Sequence, residues 1–129
     1  MKIRMLLAVV AIAGYSTSFA DEVGKLRDMA RSSDEYKELA IDCLIELKTD
    51  QSGGWESQEC AKYKHFSVNE LQAFKSEINT AALAFKVYVK SGEASKNRVK
   101  RGLKQLFIIQ ENMGSIGNIS TKIKNESNT

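Results

Sequence analysis

Along Ser67 to Tyr88 the apolar residues return every third or fourth position, at Leu71, Phe74, Ile78, Ala81, Phe85 and Tyr88. That spacing is the repeat of an α-helix, and it puts one unbroken apolar face along about five turns. A helix sided in this way is stable in water only when other elements cover the face, so the run demands a helical bundle. Nothing in the composition resists this: proline, the strongest helix breaker, is absent from all 129 residues. SVNE, Ser67 to Glu70, has the form of a capping box and predicts the start of this helix. Ser91 and Gly92 predict its end, glycine being the residue that tolerates a left-handed cap.

Upstream, a second stripe falls at Tyr36, Leu39, Ala40, Cys43, Leu44 and Leu47, behind a capping box formed by Ser32 and Glu35. A shorter piece, DEVGKLRDMAR, places Val23, Leu26, Met29 and Ala30 on one side, either as a separate helix or running on into the next. The turn-forming residues of TDQSGG close this region. A last helix is predicted from about Ala94 to Met113, with Val99, Leu103, Leu106, Ile109 and Met113 inward and Gly114 as its stop. Residues 115–129 have few large apolar side chains and are expected to be a loose or lightly docked tail. VYVK at 87–90 is β-rich in isolation but lies in phase with its helix. The expected fold is therefore all-α, a bundle of four to five helices carrying one disulfide.

The first 20 residues do not fit that bundle. MKIR is basic, MLLAVVAIAG is an apolar run, and STSFA ends in the small residues that a signal peptidase reads before cutting. Residues 1–20 are thus expected to be a cleaved signal peptide, and 21–114 to be one helical domain. The apolar run is shorter than the roughly 20 residues that span a bilayer, and no cysteine stands at the cleavage point, so no membrane anchor is expected. Cleavage would remove Lys2 and Arg4 and leave 17 basic against 16 acidic residues, so the basic character belongs mostly to the leader. Two cysteines in an exported chain most simply mean one bridge, Cys43 to Cys60.

Chemistry finds little footing. Nucleophilic catalysis needs a reactive Ser or Cys beside a base, but His65 is the only histidine and both thiols are expected in the bridge. Cys60 and His65 are at most two ligands where a structural zinc site uses four, so neither a metal nor any other cofactor is indicated. Asp34 with Glu35, and Glu56 with Glu59, are paired acids, but a small bundle offers little room for a glycosidase cleft and such acids are usually solvated. Gly53 and Gly54 make a turn, not a phosphate loop. Lys96, Arg98, Lys100, Arg101 and Lys104 form a basic cluster without interleaved aromatics, which reads as a solvated face or a contact for an acidic partner surface, not as a nucleic-acid site.

The stretch TDQSGGWESQEC, at 49–60, remains. It holds the only tryptophan, Trp55, and ends in Cys60. A bridge from Cys43 would limit how far a Gly-Gly turn can wander and so lower the entropy cost of binding something. Trp and Tyr dominate interface hot spots. Trp55 either folds back on the core or stands out as an apolar anchor, and Glu56, Gln58, Tyr63 and His65 would then supply the polar contacts of a partner-binding site.

An exported leader, a one-domain helical body from Cys43 through Cys60 to the last helix, and no catalytic set resemble the small periplasmic immunity proteins of bacterial type VI secretion. The resemblance is closest to those that neutralise lysozyme-like, peptidoglycan-degrading effectors. It implies an antitoxin in the periplasm, not an enzyme, that binds its cognate hydrolase across the active cleft and protects the producer and its kin. Some members are homodimers, which the long apolar stripe of Leu71 to Tyr88 is compatible with. The alternative is a periplasmic acid-stress chaperone, also small, helical and bridged once; a carrier of an apolar molecule ranks third.

Overall fold

The computed structural model describes residues 22–49 and 54–127. The expected signal peptide and Gly53 lie outside the described residues. Helix α1 spans Glu22–Thr49, α2 Gln58–His65, α3 Leu71–Lys90 and α4 Lys96–Ser127. A 3-10 turn at Gly54–Glu56 leads into α2, and a π-helical turn at Phe66–Glu70 joins α2 to α3 without a break, so the described residues form three long rods. The all-α fold with a Cys43–Cys60 disulfide is present as expected. Among the described residues there is no strand, and no helix is long and apolar enough to cross a membrane.

The rods run up, down and up. Ser33 of α1 meets Asn112 of α4, and Lys48 pairs with Glu126 further along, so α1 and α4 are parallel in direction. The middle rod returns against α1, with Tyr36 on Phe74 and Cys43 on Cys60. Helix α1 is central: it packs along α4 for most of its length and along α2 and α3 on another side.

Two buried clusters lie along α1. The first gathers Ala40 and Cys43 of α1, Cys60 and Tyr63 of α2, Phe66, and Ile116 and Ile123 of α4. The second gathers Leu26 and Ala30 of α1, Ala81, Phe85 and Tyr88 of α3, and Ile109 of α4. Between them sits a polar waist. Asn112, only 5% exposed, donates through Nδ2 to Ser33 Oγ (2.9 Å) and Asp34 Oδ1 (2.7 Å), while Ser33 Oγ donates to the Ala30 carbonyl (2.7 Å). Sliding α1 against α4 would strand these groups away from partners, so the waist fixes their register.

Four boundaries differ from those the sequence predicts. The Ser32–Glu35 box caps nothing, because α1 is one continuous 28-residue helix and Ser33 lies buried within it. The Ser67–Glu70 box lies inside the middle rod; the start is Ser57, whose Oγ accepts from Cys60 N (3.2 Å). The start of the last helix likewise falls at Ser95, whose Oγ accepts from Arg98 N (3.2 Å). Most consequential is α4, which passes through Gly114 and continues to Ser127. The expected loose tail at 115–129 is thus corrected over 115–127. Ile116, Ile119 and Ile123 keep the helical phase and place Ile116 and Ile123 in the core, and that burial outweighs the cost of glycine within a helix, about 1 kcal/mol. Leu103, expected inward, is 55% exposed.

The π turn has a structural use. One extra residue in a turn shifts the helix face, which lets Phe66, in phase with α2, and Phe74, in phase with α3, reach the same side chain. Tyr36 stacks on Phe66 (4.2 Å between ring centroids) and meets Phe74 edge-on (4.9 Å). Burial raises the Tyr36 phenol pKa, and the nearby carboxylates of Glu70, Glu77 and Glu35 raise it further.

Candidate functional site

The Trp55 turn is held from its C-terminal side. Gly54, which is buried, begins it with φ at 57°, in the left-handed region that suits glycine, so a side chain there would face backbone strain. Ser57 N donates to the Gly54 carbonyl (3.0 Å), closing the 3-10 turn. Ser57 then adopts an extended conformation and caps α2 through its hydroxyl. Two residues into α2, Cys60 is tied to Cys43 of α1 with Cα atoms 4.4 Å apart. Both cysteines are fully buried, so the bridge fastens the turn to the core instead of lying over it.

On this support Trp55 is half-buried: one side packs on the first core cluster, and Lys64 Nζ stands 4.3 Å from the ring centroid. An ammonium over an indole face contributes about 0.5–1 kcal/mol at an exposed site and holds the ring in place. Tyr63 points inward. It is 6% exposed and donates its hydroxyl to Ser120 Oγ (2.7 Å), linking α2 to the far part of α4. Between these elements runs an open groove of about 360 Å³, lined by Trp55, Tyr63, Lys64, Val68, Ile123 and Lys124 among others. Val68 at its edge is 80% exposed.

The five residues singled out from the sequence are not one patch. Trp55 and Tyr63 face the α4 side of α2, whereas Gln58 and His65, seven positions apart on one helix face, line a second groove against α1 with Leu39, Lys62 and Glu70. Glu56 is exposed in the turn between the two sides. The His65 ring accepts from Asn69 Nδ2 at Nδ1 (3.1 Å) and holds Nε2 3.9 Å from Glu70 Oε2. Its polar partners among the described residues are thus an amide and a carboxylate. Both cysteines are in the bridge, and among the described residues no group of three His, Cys, Asp or Glu side chains could hold a metal ion.

No family model, curated protein or solved structure matches this chain. The site therefore stands on its own geometry. Sequence reasoning passed over Val68, Ser120 and Lys124. The last two fall in the segment expected to be a tail, and the available signal was the phase of Ile116, Ile119 and Ile123, which continues the helix past Gly114.

What the arrangement offers is a ledge. Trp55 and Val68 give apolar area, Lys64 and Lys124 give positive charge beside it, and Glu56 projects from the turn. The backbone of residues 54–60 is already fixed by the 3-10 turn, the Ser57 cap and the disulfide, which lowers the entropy cost of an interface there.

Proposed function

We propose that the chain is an exported immunity-type protein that binds a cell-wall-degrading type VI secretion effector and covers its active cleft, acting in the periplasm by occupation and without chemistry of its own. The observation that supports this most is the partly buried Trp55, with its remaining face open, on a turn fixed by the Ser57 cap and the buried Cys43–Cys60 bridge. A rigid aromatic anchor beside charged groups is what a protein that plugs a concave site presents. The disulfide fits an oxidising compartment.

Within this reading Trp55 is the anchor, Val68 widens its apolar footprint, and Lys64 and Lys124 meet acidic groups of the cleft. Glu56 reaches furthest from the turn. Gln58 and His65 make contact only where the partner wraps over α2, and Tyr63 acts from beneath by holding α2 on α4. The test is inhibition of a lysozyme-like type VI effector by the disulfide-bonded protein. Wild type abolishes peptidoglycan hydrolysis at near-equal stoichiometry, and Trp55→Ala weakens the complex by about 2 kcal/mol, roughly 30-fold. Full inhibition by a Trp55→Ala, Val68→Asp double variant would remove the ledge as the site, and absence of inhibition by wild type would remove the function itself.

A further inference from the structure

The other end of the bundle carries a surface that the Trp55 ledge does not use. Helices α3 and α4 touch closely near their connecting turn, where Phe85 lies on Gly102, and hardly at all beyond it. Between them opens a groove of about 490 Å³ whose apolar walls are Ile78, Ala82, Leu106, Ile109 and Met113. Helical spacing carries this surface onward. Leu83 stands four positions from Asn79 of the groove, with Val87 one turn further, and on α4 Leu103 stands three positions from Leu106 and Phe107 three from Gln110. These four are 51–62% exposed, a concentration of large apolar side chains that water does not favour on one side of a small bundle.

The charges around it are mainly basic, with Glu93 in the connecting turn and Glu111 on α4 as the acids among them. Lys75, Lys86 and Lys90 on α3 and Lys96, Lys100 and Lys104 on α4 are all exposed, and none has an ion-pair partner among the described residues. Glu111, one turn beyond Phe107, is the nearest acid along α4. The acids facing α3 from other elements lie on its opposite side: Glu22 and Asp28 of α1 line a separate groove with Glu77.

We infer that the α3–α4 groove is a docking site for an acidic amphipathic helix of a partner protein. The concave floor takes an apolar ridge of leucine-like side chains in the helix-in-groove manner, and the lysines on both walls pair with Asp or Glu flanking that ridge. Charge selects this occupant over a second copy of the chain. A two-fold dimer through this face would set the same lysines against one another, because such an interface is built from one patch facing itself. Shape selects it over an anionic membrane, since a groove floored by the buried Ile109 recedes from a flat bilayer surface. The inference rests on this face alone and stands whether or not the Trp55 ledge binds a hydrolase.

The test uses the disulfide-bonded protein and fluorescent helical peptides of about 18 residues, five turns, with leucine on one face and glutamate on the rest. The control peptide has lysine for every glutamate. Fluorescence anisotropy is expected to show the glutamate peptide binding at least about tenfold more tightly than the lysine peptide, with the gap closing as salt rises. Leu83→Glu with Phe107→Glu, both at exposed positions, weakens that binding about tenfold or more while the helical circular dichroism and melting temperature hold. Equal binding of the two peptides, or binding unaffected by the double variant, would overturn the inference. So would binding of phosphatidylglycerol vesicles but not of the peptide, or self-association that the double variant abolishes.

Discussion

The two ends of this bundle use the same three rods and solve the problem of closing them differently. Around Cys43 and Cys60 the rods are joined covalently, a tyrosine reaches across to α4, and the aromatic rings of Tyr36, Phe66 and Phe74 fill the space where the middle rod bends. Around Gly102 closure comes from missing atoms: the absent Cβ lets Phe85 lie on the α4 backbone, and beyond that contact α3 and α4 part. A cross-linked end can present a small, fixed feature such as the Trp55 ledge. An end closed at one point leaves a groove. Each device sets what kind of surface its end offers.

Removing the disulfide should be the largest single blow to this contrast. The bridge spans 17 positions, and opening it by Cys43→Ala with Cys60→Ala is expected to cost about 3 kcal/mol. Hydrogen exchange should rise first in residues 54–66 and last around Leu26 and Phe85; a uniform rise would mean that the ends do not differ in how they are held. Next in size is Gly102→Ala. The new methyl would overlap the Phe85 ring, and the clash is expected to cost about 1–3 kcal/mol, more than the gain of up to about 1 kcal/mol from replacing glycine in a helix. Combining it with Phe85→Leu should recover part of that loss in chemical denaturation, the coupling expected of touching side chains.

The waist should respond in between. Asn112→Ala removes the donor to Ser33 and Asp34, for an expected loss of about 1–2 kcal/mol, and should loosen both ends together because it frees the register of α1 on α4. The smallest change is a gain. Added methyl groups at Gly114 and Gly117 would meet no atom within 4 Å, so Gly114→Ala and Gly117→Ala should each stabilise the protein by about 0.5–1 kcal/mol. A loss on thermal melting would show that α4 is not helical there.

That last pair also shows what the sequence made legible and what it hid. The stripes of α1 and α3, the Cys43–Cys60 bridge and the left-handed cap at Gly92, whose φ is 82°, follow from residue types and spacing. Local signals misled wherever burial outweighed them. Gly114 has the form of a stop, yet Ile116 and Ile123 repay continuing the helix by entering the core beside Cys60 and Tyr63. Capping boxes at Ser32 and Ser67 are written into stretches whose tertiary packing keeps the helix running, whereas Ser57, with no partner glutamate at the third position, caps α2. At the candidate site, the placement of Trp55 and Glu56 on a turn was readable because a glycine pair and a cysteine surround them. That Tyr63 faces inward, and that Gln58 and His65 lie across α2 from Trp55, depends on the packing of α1 and α4 on either side of α2, which composition does not carry.

Under the proposed function, the braced end is the one that holds the target. The most direct test is hydrogen–deuterium exchange of the disulfide-bonded protein, alone and mixed at saturation with the lysozyme-like type VI effector proposed as its target. Strong added protection at residues 54–68 and 120–127, with the α3–α4 face unchanged, is the expected result. Protection confined to α3 and α4, with residues 54–68 exchanging as in the free protein, would contradict it and move the inhibitory surface to the opposite end of the bundle.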